Sequence, residues 1–352
     1  MNIAIRVDAS IDIGSGHVMR CLTLAEQFRE NGDTVKFICR KTQGSMESVI
    51  RKQGFHVDLL MEQQSDIWNW MKNNYESDAI ETAKILDGKR LDLLIIDHYG
   101  IDEKWENQFQ NYKLMVIDDL ANRVHNCDIL LDQNFYKNAN TRYKKYISNK
   151  TITCLGPKYM LIRKEFYLEY EKNPETTIFV FFGSMDKTNE TLKTLKALKK
   201  LQQSYNFGVI VVVGNSNPHK ENIKNYCMNM DSCEFYCQVN NMAELMAKCH
   251  FSITSGGTIT WERSMVELPG LIIVVADNQL ELANNLVEIN ACGLLGETEN
   301  VTEKDILKAV EYLLNDRTVL EEWLINLKKI VDKNKLMNKP ILEKINEVLN
   351  IC

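Results

Sequence analysis

A histidine at the start of a helix is the first residue of the chain whose type and setting suit catalysis. His17 follows Gly14 and Gly16, which separate a short apolar run from a stretch with helical periodicity. Imidazole is the side chain whose ordinary pKa lies near neutrality, so it can take a proton from water as that water attacks an electrophile. The motif alone leaves another interpretation open, in which His17 only packs against the helix or caps it.

The same segment argues against a nicotinamide dinucleotide site. The dinucleotide fingerprint G-x-G-x-x-G needs a third glycine for close packing of helix on strand. The chain has Met19 at that position. The two glycines therefore indicate a turn at a strand end, where α/β proteins bind ligands, without specifying a dinucleotide.

A second turn with adjacent glycines has the composition of a phosphate-binding loop. It reads Ser255-Gly256-Gly257-Thr258, between an apolar run and a helix. Glycine lets the backbone approach a phosphate closely, and the first amides of a helix stabilise its charge. The alternative is that Ser255 caps the helix and the glycines form a tight turn.

Polar side chains near this loop favour nucleotide binding over the plain turn. Glu262 lies one turn into the helix, where its carboxylate could accept hydrogen bonds from both ribose hydroxyls. Asn278 and Gln279 follow the next apolar run, and their amides could bond to a sugar or to phosphates. The combined spacing predicts a site for a nucleoside diphosphate.

Two further candidates follow an apolar run in the first half of the chain. Asp97 ends the run, and its carboxylate could orient His98 or the catalytic machinery, although such aspartates often only cap a turn. Tyr99 stands at the strand exit, so we expect it to line a cleft.

Short apolar runs alternate with helical stretches along the chain, which predicts parallel sheets covered on both faces. The pattern occurs in two series. We therefore predict an α/β protein with two doubly wound, Rossmann-like domains that face each other across a cleft. The predicted strands are 3–7, 34–39, 91–97, 114–118 and 129–132 in the first series, and 178–182, 209–214, 235–238, 251–254 and 271–275 in the second.

The length of 352 residues also favours two domains, because one hydrophobic core seldom grows past about 250 to 300 residues. We place an N-terminal domain at 1–150, a linker at 151–175, a second domain at 176–335 and a C-terminal helix at 336–352. The two domains carry His17 and the nucleotide site, respectively.

Charge and hydropathy limit the partners of the chain. The net charge is −6, from 42 basic and 48 acidic side chains, which argues against a nucleic-acid surface. The chain begins MNIAIRVDAS, without a basic start or an apolar signal segment, and no apolar run approaches the roughly 18 residues of a membrane span. We expect a cytoplasmic monomer that acts on a small molecule.

With these motifs, the sequence resembles the UDP-2,4-diacetamido-2,4,6-trideoxy-β-L-altropyranose hydrolases of pseudaminic acid biosynthesis. These hydrolases are related in fold to MurG-type glycosyltransferases. The resemblance covers about residues 1–300. It is carried by RVDAS and GSGHVMRC near the start, DAIETAKIL at 78–86, IIDHYGID and WE within 95–106, IDDLANRVHNCDILLDQN at 117–134, GPKYMLIRKEF at 156–166, TSGGTITWE at 254–262 and DNQ at 277–279.

The resemblance implies a GT-B architecture and hydrolysis of a UDP-linked diacetamido sugar, with inversion at the anomeric carbon. It places the essential base on His17 and the motif tyrosine on Tyr99, and it requires neither a metal ion nor a cofactor. It also places substrate or UDP contacts on one set of residues in each half of the chain. These are Gly14, Gly16 and Arg20 in the first half, and Ser255, Gly256, Gly257, Thr258, Glu262, Asn278 and Gln279 in the second.

The chain departs from its relatives at two places. The first turn of the second domain reads Gly183-Ser184-Met185-Asp186 where relatives have Gly-Gly-x-Asp, and residues 331–335 replace a glycine-rich stretch. Two other functions remain open at this point. One is a glycosyltransferase that uses a UDP-sugar donor, and the other is a nucleotide-sugar sensor without catalysis.

Overall fold

The alternation of apolar runs and helical stretches folds into two compact α/β units. The computed structural model describes residues 1–10, 13–63 and 67–349. Unit 1 comprises Met1–Leu161 and Asn334–Cys352, and unit 2 comprises Ile162–Lys333.

Unit 1 is built on a seven-stranded sheet in which every neighbouring pair of strands is parallel. The order across the sheet is β3-β2-β1-β4-β5-β6-β7, so the direction of winding reverses between β1 and β4. The strands are β1 Asn2–Val7, β2 Thr34–Arg40, β3 His56–Leu60, β4 Leu93–Asp97, β5 Lys113–Ile117, β6 Ile129–Asp132 and β7 Ile152–Leu155.

Helices cover both faces of this sheet, which is why its strands are apolar on both sides. Alternate residues of β1 point to opposite faces. Ile3 and Ile5 join the core cluster that contains Phe28, whereas Ala4 joins the cluster that contains Trp105. The helices of this part of the chain are α1 Gly16–Glu30, α2 Glu47–Lys52, α3 Ile67–Leu86, α4 Glu103–Glu106 and α5 Ala139–Arg142.

Unit 2 repeats the architecture with six parallel strands in the order β10-β9-β8-β11-β12-β13. Here the winding reverses between β8 and β11. The strands are β8 Thr177–Phe181, β9 Gly208–Val213, β10 Cys233–Cys237, β11 Phe251–Ser255, β12 Gly270–Val274 and β13 Gly293–Glu297. The helices are α6 Glu190–Leu201, α7 Lys220–Cys227, α8 Met242–Ala247, α9 Ile259–Met265, α10 Leu280–Glu288, α11 Glu303–Asn315 and α12 Thr318–Ile330.

The end of the chain returns to unit 1 as α13 Lys333–Met337 and α14 Pro340–Leu349. Ile341 and Ile345 of α14 are buried in the core cluster of the first sheet. Pro340 is the first residue of its helix, where a missing N–H costs little. Residues 350–352 of the predicted terminal helix lie outside the described residues.

These units differ in extent from the predicted domains. The expected linker at 151–175 contains β7, which pairs with β6 and therefore belongs to the first sheet. The chain passes to unit 2 after Leu161. The sequence also does not predict the edge strands β3 and β13. The prediction of two doubly wound parallel sheets is confirmed. Within the described ranges, no helix combines the length and the apolar character of a membrane span.

Candidate active site

His17 is the second residue of α1, and the turn before it lies where the first sheet reverses its winding. Open α/β sheets bind ligands at this point, outside the carboxyl ends of the strands. The backbone N–H of Gly14 donates to the Ser10 carbonyl at 2.9 Å, which closes the turn. Gly14 has φ +78°, a left-handed conformation that favours glycine. Gly16 is the first residue of α1.

His17 is paired with the aspartate that ends the neighbouring strand. Its Nδ1 lies 2.6 Å from Oδ1 of Asp97, and both side chains are largely buried. An ionised carboxylate only accepts hydrogen bonds, so Nδ1 carries the proton that it donates to Asp97. In the neutral ring this leaves the lone pair on Nε2, the nitrogen remote from Asp97. The pair thus has the arrangement of a general base and its orienting carboxylate.

Arg20 forms a bidentate contact with the Asp97 carboxylate, with one hydrogen bond to each oxygen. Its Nε donates to Oδ2 at 2.6 Å and its Nη2 to Oδ1 at 2.7 Å. Burial alone would raise the pKa of Asp97, but Arg20, and after it His17, hold that pKa well below its usual range. Asp97 is therefore a fixed negative charge, and its orientation is determined on both oxygens.

Tyr99 contacts His17 through its ring and a second carboxylate through its hydroxyl. The two rings meet edge to face, with centroids 4.4 Å apart. The phenol donates to Oδ1 of Asp119 at 2.5 Å. Burial, and next the charge of Asp119, raise the pKa of Tyr99 well above its ordinary value. Tyr99 is thus a neutral phenol that limits the movement of the imidazole.

Asp119 is the functional candidate that the sequence did not reveal. It follows β5, and Arg20 Nη1 donates to its Oδ2 at 3.1 Å. The neighbouring Asp118 instead receives bonds from Arg123 and from the Tyr143 hydroxyl. In the sequence, Asp118 and Asp119 are two adjacent acidic residues at the end of an apolar run. The available signal was its position after β5, next to β4 in the sheet.

Arg6 and Asp8, which also lie near the end of β1, belong to a different buried network. Arg6 donates to Asp8 at 2.6 Å and to Asp78 at 2.8 Å. The backbone N–H of Arg40 also donates to Asp8, at 2.7 Å. Asp8 therefore serves the packing of the sheet and the helix α3, and its bonds do not reach His17.

In unit 2, the predicted phosphate loop follows β11 and is braced by Gln279. The backbone N–H groups of Gly256 and Val275 both donate to Gln279 Oε1, at 3.0 and 3.2 Å. A Cβ on Gly256 would lie 3.1 Å from Gln279 Cβ and 3.3 Å from Ile272 Cγ2, so this position has room for little more than glycine. Gln279 thus joins the loops after β11 and β12.

The other predicted residues of unit 2 surround the same two loops. Ser255 is buried at the end of β11, whereas Thr258 and Asn278 are exposed. Glu262 Oε1 receives two bonds from Arg163, at 3.0 and 2.8 Å from Nε and Nη2. Ser255 and Thr258 thus lie at the carboxyl end of β11 and Asn278 lies in the loop after β12, whereas Glu262 lies on α9.

In the turn at residues 183–186, the two residues that match the relatives, Gly183 and Asp186, each have a structural role. Asp186 accepts hydrogen bonds from the backbone N–H groups of Glu190 and Thr191, at 2.8 and 3.0 Å. These are the first two residues of α6, so the carboxylate satisfies amides that a helix start leaves without partners. Gly183 has φ +85°, which again favours glycine.

The fold and the second unit are similar to those of glycosyltransferases. Residues 177–335 match the model of the glycosyltransferase family 28 C-terminal domain. The MurG crystal structure from Acinetobacter baumannii superposes with a TM-score of 0.66 at 12% identity, over 97% of this chain and 99% of that one. The chain accordingly has the GT-B architecture, as predicted.

Two relatives in sequence make the similarity more specific. The UDP-2,4-diacetamido-2,4,6-trideoxy-β-L-altropyranose hydrolase of Campylobacter jejuni is 28% identical over 82% of this chain and 97% of its own length. An uncharacterized protein of Methanocaldococcus jannaschii is 30% identical over 80% of this chain, which spans 57% of that protein's length. The resemblance drawn from the sequence motifs is confirmed.

Proposed function

We propose that the chain hydrolyses a UDP-linked sugar, with His17 as the base that activates water. The observation that carries the proposal is the His17–Asp97 pair at the winding reversal of the first sheet, with its 2.6 Å contact at Nδ1. This contact directs the lone pair to Nε2, where it can accept a proton.

The proposed substrate is UDP-2,4-diacetamido-2,4,6-trideoxy-β-L-altropyranose, and the proposed role is a step of pseudaminic acid biosynthesis. The support is the relative from Campylobacter jejuni, which is named for this activity and is matched over 97% of its length. The segments that carry the resemblance contain His17, Asp97 and Tyr99, which the structure brings into contact.

Unit 2 is the proposed UDP-binding part. The loop after β11 would receive the diphosphate, with Thr258 at its exposed end, and Glu262 would accept hydrogen bonds from the ribose. Arg163 supports this assignment, because its two bonds to Oε1 hold the Glu262 carboxylate in one orientation. Gln279 would act through the loop that it braces, and Asn278 is exposed where it could reach the ligand directly.

The proposed reaction is a single displacement at the anomeric carbon. The oxygen of water forms a bond to C1 while the bond from C1 to the diphosphate oxygen breaks, so the configuration inverts. The proton of the water passes to Nε2 of His17, and the electron pair of the broken bond leaves with UDP. A diphosphate needs no proton to leave, so one base suffices where ordinary glycosidases need two carboxylates. The proposal requires no metal ion.

A glycosyltransferase is the second candidate, since residues 177–335 match a glycosyltransferase domain. One experiment separates the two functions. The protein is incubated with the UDP-sugar alone, and the products are followed by NMR with and without a chelator. Hydrolysis predicts free sugar and UDP in equal amounts in both samples. A transferase would leave the UDP-sugar largely intact until an acceptor is added.

The role of His17 is tested by His17→Ala in the same assay. We expect turnover to fall by about 10²- to 10⁴-fold, the range for loss of a general base, while UDP binding measured by calorimetry is kept. Hydrolysis at near the normal rate would exclude His17 as the base.

A further inference from the structure

Arg20 lies between the carboxylates that follow two neighbouring strands. Its Nε and Nη2 bond to Asp97 after β4, and its Nη1 bonds to Asp119 after β5. All three nitrogens of the guanidinium thus face protein carboxylates, and only 5% of the residue is exposed. This arrangement argues against the direct substrate contact that the sequence motif suggests.

Arg20 and His17 share one acceptor atom. The Nδ1 of His17 and the Nη2 of Arg20 both approach Oδ1 of Asp97, at 2.6 and 2.7 Å, which leaves the two nitrogens 3.2 Å apart. A protonated imidazole would therefore carry its positive charge directly beside the guanidinium. Like charges at this distance disfavour the protonated form.

We propose that Arg20, anchored by Asp119, is a positioning residue that offsets the charge of Asp97 and so keeps the imidazole of His17 neutral. This inference rests on the proposed hydrolysis, because a protonated ring has no lone pair to accept a proton from water. Asp97 alone would orient the ring but would also favour its protonation. Arg20 leaves the orientation in place and opposes the protonation.

Among the described residues, the other groups around His17 do not supply a competing charge of their own. Tyr99 packs its ring edge against the imidazole and stays a neutral phenol, because burial and then Asp119 raise its pKa. The Cys21 thiol donates to Oδ2 of Asp97 at 3.4 Å, and burial raises its pKa well above the ordinary value. The uncharged Trp68 ring of α3 contacts the ring of Tyr99, with centroids 5.5 Å apart. The charged groups that the described part of the chain places around His17 are therefore Asp97, Arg20 and Asp119.

The test compares Arg20→Met, which removes the charge, with Arg20→Lys, which keeps it. Two quantities are measured against pH: kcat/KM for hydrolysis, and the NMR signal of the His17 ring in the free protein, assigned with His17→Ala. Each of these two quantities should show a transition with pH. For Arg20→Met we expect the midpoints of both transitions to rise by about one to three pH units, the usual effect of an uncompensated carboxylate. For Arg20→Lys we expect a smaller shift.

A matched control is Arg29→Met. Arg29 lies on the same helix but pairs with Glu26 in solvent, so its loss should leave both transitions in place. A second control is the double variant Asp97→Asn/Arg20→Met. It removes both buried charges, so it does not leave an uncompensated carboxylate that could unfold the protein. Because Arg20 is anchored by Asp119 and its charge also lies directly beside the ring, the double variant should titrate at higher pH than Asp97→Asn alone.

Two results would overturn the inference. One is an Arg20→Met protein with weakened UDP binding, a raised KM and unchanged transitions, which would make Arg20 a substrate ligand. The other is a double variant whose ring titrates at the same pH as that of Asp97→Asn, which would mean that the guanidinium charge does not act on the imidazole. The ring titration needs no substrate, so it judges this inference even if the wild-type protein fails to hydrolyse the UDP-sugar.

Discussion

Replacement of Asp97 by asparagine tests how the imidazole is held. The carboxylate accepts one bond from His17 and two from Arg20, at 2.6 to 2.7 Å. Asparagine has the same shape but only one acceptor oxygen. If its NH₂ faces His17, the ring proton moves to Nε2 and the base is lost. If its oxygen faces His17, the NH₂ meets the Nε–H of Arg20, and two donors oppose each other.

Either arrangement should cost turnover and stability together. Loss of the correct tautomer removes general-base catalysis, so we expect kcat to fall by about 10²- to 10⁴-fold. Breaking a buried ion pair costs about 3 to 5 kcal/mol. Arg20 keeps its 3.1 Å bond to Asp119, so we expect the lower end, about 3 kcal/mol.

The assay measures UDP release at saturating substrate, together with thermal unfolding and UDP binding. The control is Asp58→Asn, which breaks a partly exposed His56–Asp58 pair on the edge strand β3 and should leave kcat unchanged. A folded Asp97→Asn protein whose kcat is within about threefold of the wild-type value would refute the tautomer argument.

Three further predictions concern other parts of the structure. Tyr99→Phe keeps the ring edge against His17 and removes the bond to Asp119, so kcat should fall by no more than about tenfold. The loss in kcat should be clearly smaller than in Tyr99→Ala. Equal losses in the two variants would instead point to a role of the hydroxyl on the substrate. Gln279→Ala removes the acceptor shared by the amides of Gly256 and Val275. Calorimetry should therefore show UDP affinity weakened by about 5- to 30-fold, with little change in kcat. An unchanged affinity would mean that these two hydrogen bonds are not needed for UDP binding. The pKa of Asp8 is held well below its usual range by Arg6 and His98, although burial alone would raise it, so the stabilisation from Asp8 is complete above about pH 4 and is lost as the pH falls from there towards the folded-state pKa. Asp8→Asn should therefore be less stable near neutrality and should show a weaker dependence of the urea midpoint on pH below about pH 4, and an unchanged dependence would contradict this explanation.

The interior strands were predictable because parallel strands covered on both faces are nearly continuous apolar runs. The edge strands were harder to predict. His56–Leu60 carries polar residues, and Gly293–Glu297 contains two glycines and is only partly buried. Ile152–Leu155 is short and half exposed, so it was assigned to a linker, although its pairing with β6 places it in the first sheet.

The candidate site was predictable where one segment carries it. His17 and Asp97 each follow or end an apolar run, and strand order then makes them neighbours. Asp119 was missed because its partner Arg20 is 99 positions away, and only the pairing of β4 with β5 brings the two together. A sequence also does not reveal which acceptors a donor will find. Arg20 and Gln279 are expected from the sequence to bind substrate, whereas the structure bonds the three guanidinium nitrogens of Arg20 and the Oε1 atom of Gln279 within the protein.

The central claim is that water, deprotonated by His17, attacks the sugar carbon of a UDP-sugar. It is tested most directly by turnover of the UDP-diacetamido sugar in ¹⁸O-water, with mass spectrometry of both products and NMR of the first anomer formed. The account predicts that ¹⁸O enters the sugar and not UDP, and that the first anomer formed has inverted configuration. It also predicts that His17→Ala incorporates ¹⁸O into the sugar far more slowly than the wild-type protein. Label in the UDP phosphate, or a sugar released with retained configuration, would contradict it.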